Sequence, residues 1–147
     1  SDCTIETDQL ALIPDSYIDM TAEKIRIYKE LDSLTSEKDL INMKNRLTDR
    51  FGKMPVELER LFDIVRIRQL GQKLGFEKII IKNGVMIAFF ITNPLSQYYR
   101  SDRFSKVLEN VNLNPKLFEI KQPDGRLRIM VRNVDGISKA YDILKKL

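Results

Sequence analysis

A chain of 147 residues, 43% hydrophobic and 31% charged, has the length and composition of one globular domain with a core of its own. It carries no histidine and a single cysteine, Cys3, which excludes an internal disulfide, a cysteine-rich zinc site, histidine acid–base catalysis and the histidine-containing nucleophilic triads. The net charge of +4 is divided unevenly, −2 over residues 1–75 and +6 over residues 76–147, and no apolar run approaches the ~20 residues of a membrane span.

No glycine-rich phosphate loop occurs, and the first residues lack the basic, apolar and small-residue succession of a secretory leader. Together with the scarcity of cysteine, this leads to the expectation of a non-catalytic, cytoplasmic chain without cofactor or metal.

The stretch LALIPDSYIDM (10–20) reads as an extended entry strand, because Pro14 pushes Ile13 into the β region. Tyr17 and Ile18 are its anchors. A first helix follows to about Leu34, with Thr21 as cap, Met20 stapled to Ile25, and Ile25, Tyr28 and Leu31 on the buried face. Ser36 opens a second helix with Glu37 and Asp39 in its first turn and Leu40, Met43, Leu47 and Phe51 along its apolar stripe. Gly52 suits the left-handed position after a helix, and Pro55 the first turn of the next, so Phe-Gly-Lys-Met-Pro is a corner between antiparallel neighbours.

The third helix, about 55–74, has apolar residues around more than one face and is therefore central; Gly75 ends it. Asn83-Gly84 between two β-branched and aromatic runs predicts a hairpin within 76–91 whose strands are covered on both faces. Residues 93–104 lead into a fourth helix marked by Phe104, Val107, Leu108 and Val111. A second hairpin over 117–131 turns at Pro123-Asp124-Gly125. Phe118, Ile120, Leu127, Ile129 and Val131 point inward there, and Glu119, Lys121, Arg126, Arg128 and Arg132 outward. A last helix starts near Asp135. The fold class is α+β, in the order ααα-ββ-α-ββ-α. It reads as one domain over 1–147, with entry strand and helices at about 8–75 and a ββαββα portion at about 76–147.

Three groups of residues invite a functional reading. Arg100, Arg103, Arg126, Arg128 and Arg132 with Tyr98 and Tyr99 would suit a basic nucleic-acid-binding accessory module, though an outward strand face is polar in any case. Asp15 with Asp19, and Glu57 with Glu59, form carboxylate pairs by spacing, but each residue already has a structural place at a turn or in a helix start. In RLTDRFGKMP (46–55), Arg46, Asp49 and Arg50 fall at i, i+3 and i+4 on one helix face. Asp49 in a last helical turn opposes the macrodipole, and Arg46 is its nearest counter-ion. The cluster is either a self-neutralising wet surface or an interface that outside charges complete.

LALIPDSYI, LTDRFGKMPVELERLFDIVRIRQLGQKLG and the short strands after them resemble the C-terminal domain of the bacterial transcription-repair coupling factor family (Mfd), over about residues 5–91. The combination of Asp-Arg-Phe-Gly-x-x-Pro with a long helix carries the resemblance. It implies a much longer parent, an ATP-dependent double-stranded DNA translocase with its ATP site in other domains. That parent displaces stalled RNA polymerase and recruits the excision-repair protein UvrA. The C-terminal domain would then be an autoinhibitory clamp that packs on an N-terminal UvrB-like module and masks the UvrA-binding surface. The family's contact matches Asp49 and Arg50, joined one turn earlier by Arg46, which stands where some relatives carry glutamate; where Arg46 faces the partner module, its counterpart there is expected to be acidic.

Overall fold

The structure, a computed structural model, describes residues 2–147. Its elements run β1 (Thr4–Thr7), α1 (Thr21–Ser33), α2 (Glu37–Phe51), α3 (Val56–Leu74), β2 (Phe76–Lys82), β3 (Val85–Phe90), a 3-10 turn (Gln97–Arg100), α4 (Asp102–Leu113), β4 (Glu119–Lys121), β5 (Arg128–Arg132) and α5 (Ile137–Leu144). The fold is α+β, as the sequence leads one to expect. The contacts divide into two compact units. One is the helical stretch Leu10–Arg66; the other is Ile67–Leu147 together with the residues up to Gln9. Helix α3 begins in the first and ends in the second.

The helical unit is built on α1, α2 and the first half of α3. Ser36 caps α2 as expected, its hydroxyl accepting from the Asp39 N–H at 3.1 Å. The stripe of Leu40, Met43 and Leu47 is buried with Ile27 and Leu31 of α1 and Leu58, Phe62 and Val65 of α3. Leu40, at 0% exposure, contributes roughly 1.5–3 kcal/mol by leaving water. The polar edges fix direction. Glu37 meets Arg66 at 2.9 Å and Lys44 meets Glu59 at 3.4 Å, so residues early in α2 face residues late in this part of α3. The helices are antiparallel, and the corner between them turns at Gly52, whose φ of 92° is left-handed.

Residues 10–20 are not a strand. Their backbone donors go to helices and turns instead of a sheet. Leu12 N–H donates to the Glu57 carbonyl at 3.2 Å and Ile13 N–H to the Tyr28 hydroxyl at 2.8 Å, while Tyr17 and Ile18 N–H both turn back to the Pro14 carbonyl. Thr21 is likewise not the cap of α1. The Ncap residue is Met20, with no side-chain hydrogen bond, and the helix begins at Thr21 itself. Ile27 and Leu31, at i and i+4, take the core face, which turns Ile25 outward to 48% exposure. Met20 is exposed too, so no buried staple joins the two.

The second unit is a five-stranded sheet in the order β1-β2-β3-β5-β4, parallel between β1 and β2 and antiparallel elsewhere. Asn83 and Gly84 both adopt positive φ, 54° and 75°, which matches the two-residue type I′ turn that suits the twist of a hairpin. One sheet face is closed. Ile79, Ile81, Met86, Ala88, Ile129 and Val131 are buried there, Phe104 of α4 meets Phe90 edge-on at 5.6 Å, and Gly71 of α3 lies against Cys3 and Ile79. On the other face Ile80, Ile87 and Met130 are half-buried, and Phe89 is buried beneath Arg126 and Arg128. Coverage of β2 and β3 on both faces is therefore incomplete, because the contacts from the end of α3 and from α4 fall on the closed face.

The second hairpin forms at the expected turn, with Gly125 at φ 77°. Its alternation fails at two places. Ile120 on the sheet edge is exposed, and Arg126 and Arg128 are half-buried, since both guanidinium groups stack on Phe89.

Cys3 shows how tightly β1 is seated. It is 1% exposed, and a Cβ placed on Gly71 would lie 2.8 Å from its Sγ. Burial, aided by the neighbouring Asp2 carboxylate, pushes the thiol up to about 12. At pH 8 the thiolate is therefore scarce as well as inaccessible. Native chain treated with Ellman's reagent at pH 8 should show less than about a tenth of the labelling rate seen in urea; equal rates would mean that β1 is not held.

Candidate functional site

The stripe Leu40, Met43 and Leu47 dictates what the rest of α2 can present. With these residues inward, Arg46, Asp49 and Arg50 fall on the exposed side of its last turns. The structure does bring the three together, but not as a self-neutralising cluster. Arg46 pairs with Glu30, and Arg50 Nη1 lies 2.9 Å from Glu23 Oε1. Both carboxylates belong to α1, which runs antiparallel to α2. Glu23, with only 11% of its side chain exposed, also takes Arg26. Arg50 further lies over the Phe51 ring, 4.8 Å from its centroid. The expectation that Asp49 neutralises Arg46 is corrected accordingly, because Arg46 reaches across to the neighbouring helix. Among the described residues Asp49 has no ion-pair partner, and it is exposed.

One side chain holds this corner in place. The Tyr17 hydroxyl lies 2.8 Å from the Gly52 carbonyl and 3.2 Å from the Leu47 carbonyl, and its ring tilts against Phe51 at 5.8 Å. It satisfies the Gly52 carbonyl, which the helix end leaves without an internal partner. Burial raises its phenol above the ordinary range, which keeps it a donor. The cross-helix acids escape a reading of α2 alone. Their signal is the i, i+7 spacing of Glu23 and Glu30, which puts both on one face of α1.

The remaining candidates separate. The Tyr98 hydroxyl donates to the Leu74 carbonyl and the Tyr99 hydroxyl to the Ile91 carbonyl, and both rings pack against Phe104. Neither ring is a free platform for a base. Tyr98 also sits where a Cβ on Gly75 would be, at 2.1 Å, and Gly75 has φ 96°. Arg132 is bonded to Glu119 and Arg128 to Asp124, while Arg100 and Arg103 are exposed at the start of α4. Of the carboxylate pairs, Asp15 takes Lys24 and Glu59 takes Lys44, so one member of each has a lysine counter-ion. Among the described residues no group of three or more Cys, Asp or Glu side chains could hold a metal ion, and no helix is long and apolar enough to cross a membrane.

A family model described as the TRCF domain matches residues 7–101. The chain is similar to the transcription-repair-coupling factor of Rickettsia conorii, 32% identical over 133 residues, which covers 90% of this chain and 11% of the relative. It is 43% identical over 137 residues to that of Staphylococcus haemolyticus, covering 86% and 12%. With that of Escherichia coli K12 it shares 37% over 75 residues, covering 51% and 6%. The chain thus spans about a tenth of the length of the first two relatives. A crystal structure of the C-terminal domain of transcription-repair coupling factor has the same fold, with a TM-score of 0.77 at 16% identity over 99% of this chain and 89% of the other.

The two roles at the corner are separable by stability. Glu23→Ala, which strands Arg26 and Arg50, should cost about 1–2 kcal/mol in urea unfolding, and Tyr17→Phe about 1 kcal/mol. Asp49→Ala should stay within about 0.5 kcal/mol of the parent chain or stabilise it. A large loss in Asp49→Ala would mean that its carboxylate serves the fold.

Proposed function

This chain belongs to the TRCF domain family, and on that premise we propose that it is a non-catalytic docking domain that restrains a larger DNA-repair translocase. The reading places its α2–α3 corner on an N-terminal UvrB-like module of the same polypeptide, so that the UvrA-binding surface is masked at rest. RNA polymerase, UvrA and double-stranded DNA are partners of the parent, and nucleotide hydrolysis belongs to its other domains.

The observation that carries the reading is the state of Asp49. It is a carboxylate in the last turn of a helix, where the macrodipole disfavours it, on a corner held rigid by Tyr17, and without an ion-pair partner among the described residues. A cation supplied from outside would relieve that cost. Arg50 is the second contact. Its pairing with Glu23 leaves most of the side chain in water, with further guanidinium donors for an acceptor on the partner. Arg46 has a different part in this arrangement. Satisfied by Glu30, it ties α1 to α2 and needs no acid from the partner.

The basic second half supports a nucleic-acid module less well. Tyr98 and Tyr99 are bonded to backbone carbonyls, and Arg128 and Arg132 to carboxylates of their own hairpin.

A docked contact of desolvated charges loses roughly 2–5 kcal/mol when one partner is truncated, enough to shift a resting population. In the full-length parent, Asp49→Ala and Arg50→Ala should each raise basal ATP hydrolysis and UvrA recruitment by about tenfold or more. If both activities stay at the repressed level in both variants, the corner is not a latch.

A further inference from the structure

At one end of the sheet, the chain leaving β3 and the turn between β4 and β5 enclose a cleft of about 400 Å³. Ile91, Pro94, Tyr99 and Leu127 form apolar walls, and Thr92 and Arg126 supply polar groups. Leu95, next along the chain, is 80% exposed.

Arg126 stands apart from the other arginines of this hairpin. Arg128 has Asp124 and Arg132 has Glu119, whereas among the described residues Arg126 joins no ion pair. Its guanidinium carbon lies 4.4 Å from the Phe89 ring centroid, and that of Arg128 lies 4.6 Å from the same centroid. Two cations therefore share one ring. The Nε of Arg126 is buried with no hydrogen-bond partner. A half-buried cation without an ion pair is costly unless an anion compensates its charge, and stacking on an aromatic ring offsets only about 0.5–2 kcal/mol of that.

We propose that this cleft binds a protein segment in which an aspartate or glutamate adjoins an apolar residue. The carboxylate closes on the terminal nitrogens of Arg126, in the fork geometry that guanidinium groups favour. The apolar neighbour seats between Pro94, Tyr99 and Leu127. A polyanion fits less well. Asp124 also lines the cleft, and its hydrogen bond from Arg128 holds its carboxyl below the usual range, so it keeps a negative charge facing any ligand. One unpaired guanidinium then matches one carboxylate, and Tyr99, bonded to the Ile91 carbonyl, offers a wall rather than a mobile stacking ring.

The test is an amide chemical-shift titration of the isotope-labelled full chain with N-acetyl-Leu-Asp-Leu-amide. Its neutral isostere N-acetyl-Leu-Asn-Leu-amide, inorganic phosphate and an oligothymidylate are the comparison ligands. Saturable shifts at Thr92, Tyr99, Gly125 and Leu127, with a roughly millimolar Kd, are expected for the aspartyl peptide. The Asn peptide, and the aspartyl peptide on Arg126→Gln, should bind at least about tenfold more weakly, with Arg126→Lys between them. The comparison of the two peptides on the unaltered chain holds even if Arg126→Gln fails to fold. Equal affinity for both peptides, absence of saturable shifts, or tighter and steeply salt-dependent binding of oligothymidylate at these amides would overturn the proposal, the last in favour of nucleic acid.

Discussion

A single phenol holds the part of the chain on which the functional reading rests. The end of α2 leaves carbonyls that the helix does not satisfy internally, and the Tyr17 hydroxyl donates to the one at Gly52, with the Leu47 carbonyl also within reach. That places the segment before α1 against the far end of α2 and lets Gly52 adopt its left-handed conformation without fraying the helix. The charges around the corner depend on this arrangement. Glu23 and Glu30 can reach Arg50 and Arg46 only while α1 and α2 stay antiparallel and in register. Surface ion pairs of this kind contribute little each, typically 0.2–1 kcal/mol, so they choose a geometry more than they stabilise it.

Much of this was legible in the residues. Ser36, Gly52 and Asn83-Gly84 each meet a local backbone requirement that few residue types satisfy, and each occupies the expected position. The apolar stripe of α2 follows a 3.6-residue period that admits one buried face. The errors lie where a tertiary partner decides. Residues 10–20 look extended, but their donors are taken by Glu57 and Tyr28, which no local pattern reveals. Ile25 fits a helix face as well as Ile27 does, and only the position of the neighbouring helices chooses between them. Strand β1, with two threonines and a glutamate in four residues, carries no alternation; its partner β2 makes it a strand. At the candidate site, the exposure of Asp49 was legible from the helix period, whereas the diversion of Arg46 and Arg50 to α1 was not, because it depends on contacts between helices.

The open face of the sheet shows charge used to manage a half-covered surface. Glu6 lies within reach of Lys78 and Lys82 at one edge, and Glu119 of Arg132 and Lys121 at the other. The hydrogen bond from Lys78 lowers the pKa of Glu6, and that from Arg132 lowers the pKa of Glu119. Between them runs the apolar row Ile80, Ile87 and Met130. Long basic side chains around such a row shield it with their stems and keep the sheet edges from pairing with other strands. Arg126, which joins no ion pair among the described residues, is the exception to this pairing of charge.

The parallel pairing of β1 with β2 has a consequence for the order in which the chain is made. Thr4 aligns with Lys78, and Gln9 accepts from the Ile137 N–H at a separation of 128 residues. A ribosome delivers β1 and Gln9 before either partner exists. The stretch Leu10–Arg66, by contrast, finds its core neighbours within itself as it emerges. Synthesis therefore favours an early helical nucleus with the β1 segment still unpaired, and the slow, non-local closure of the sheet comes last.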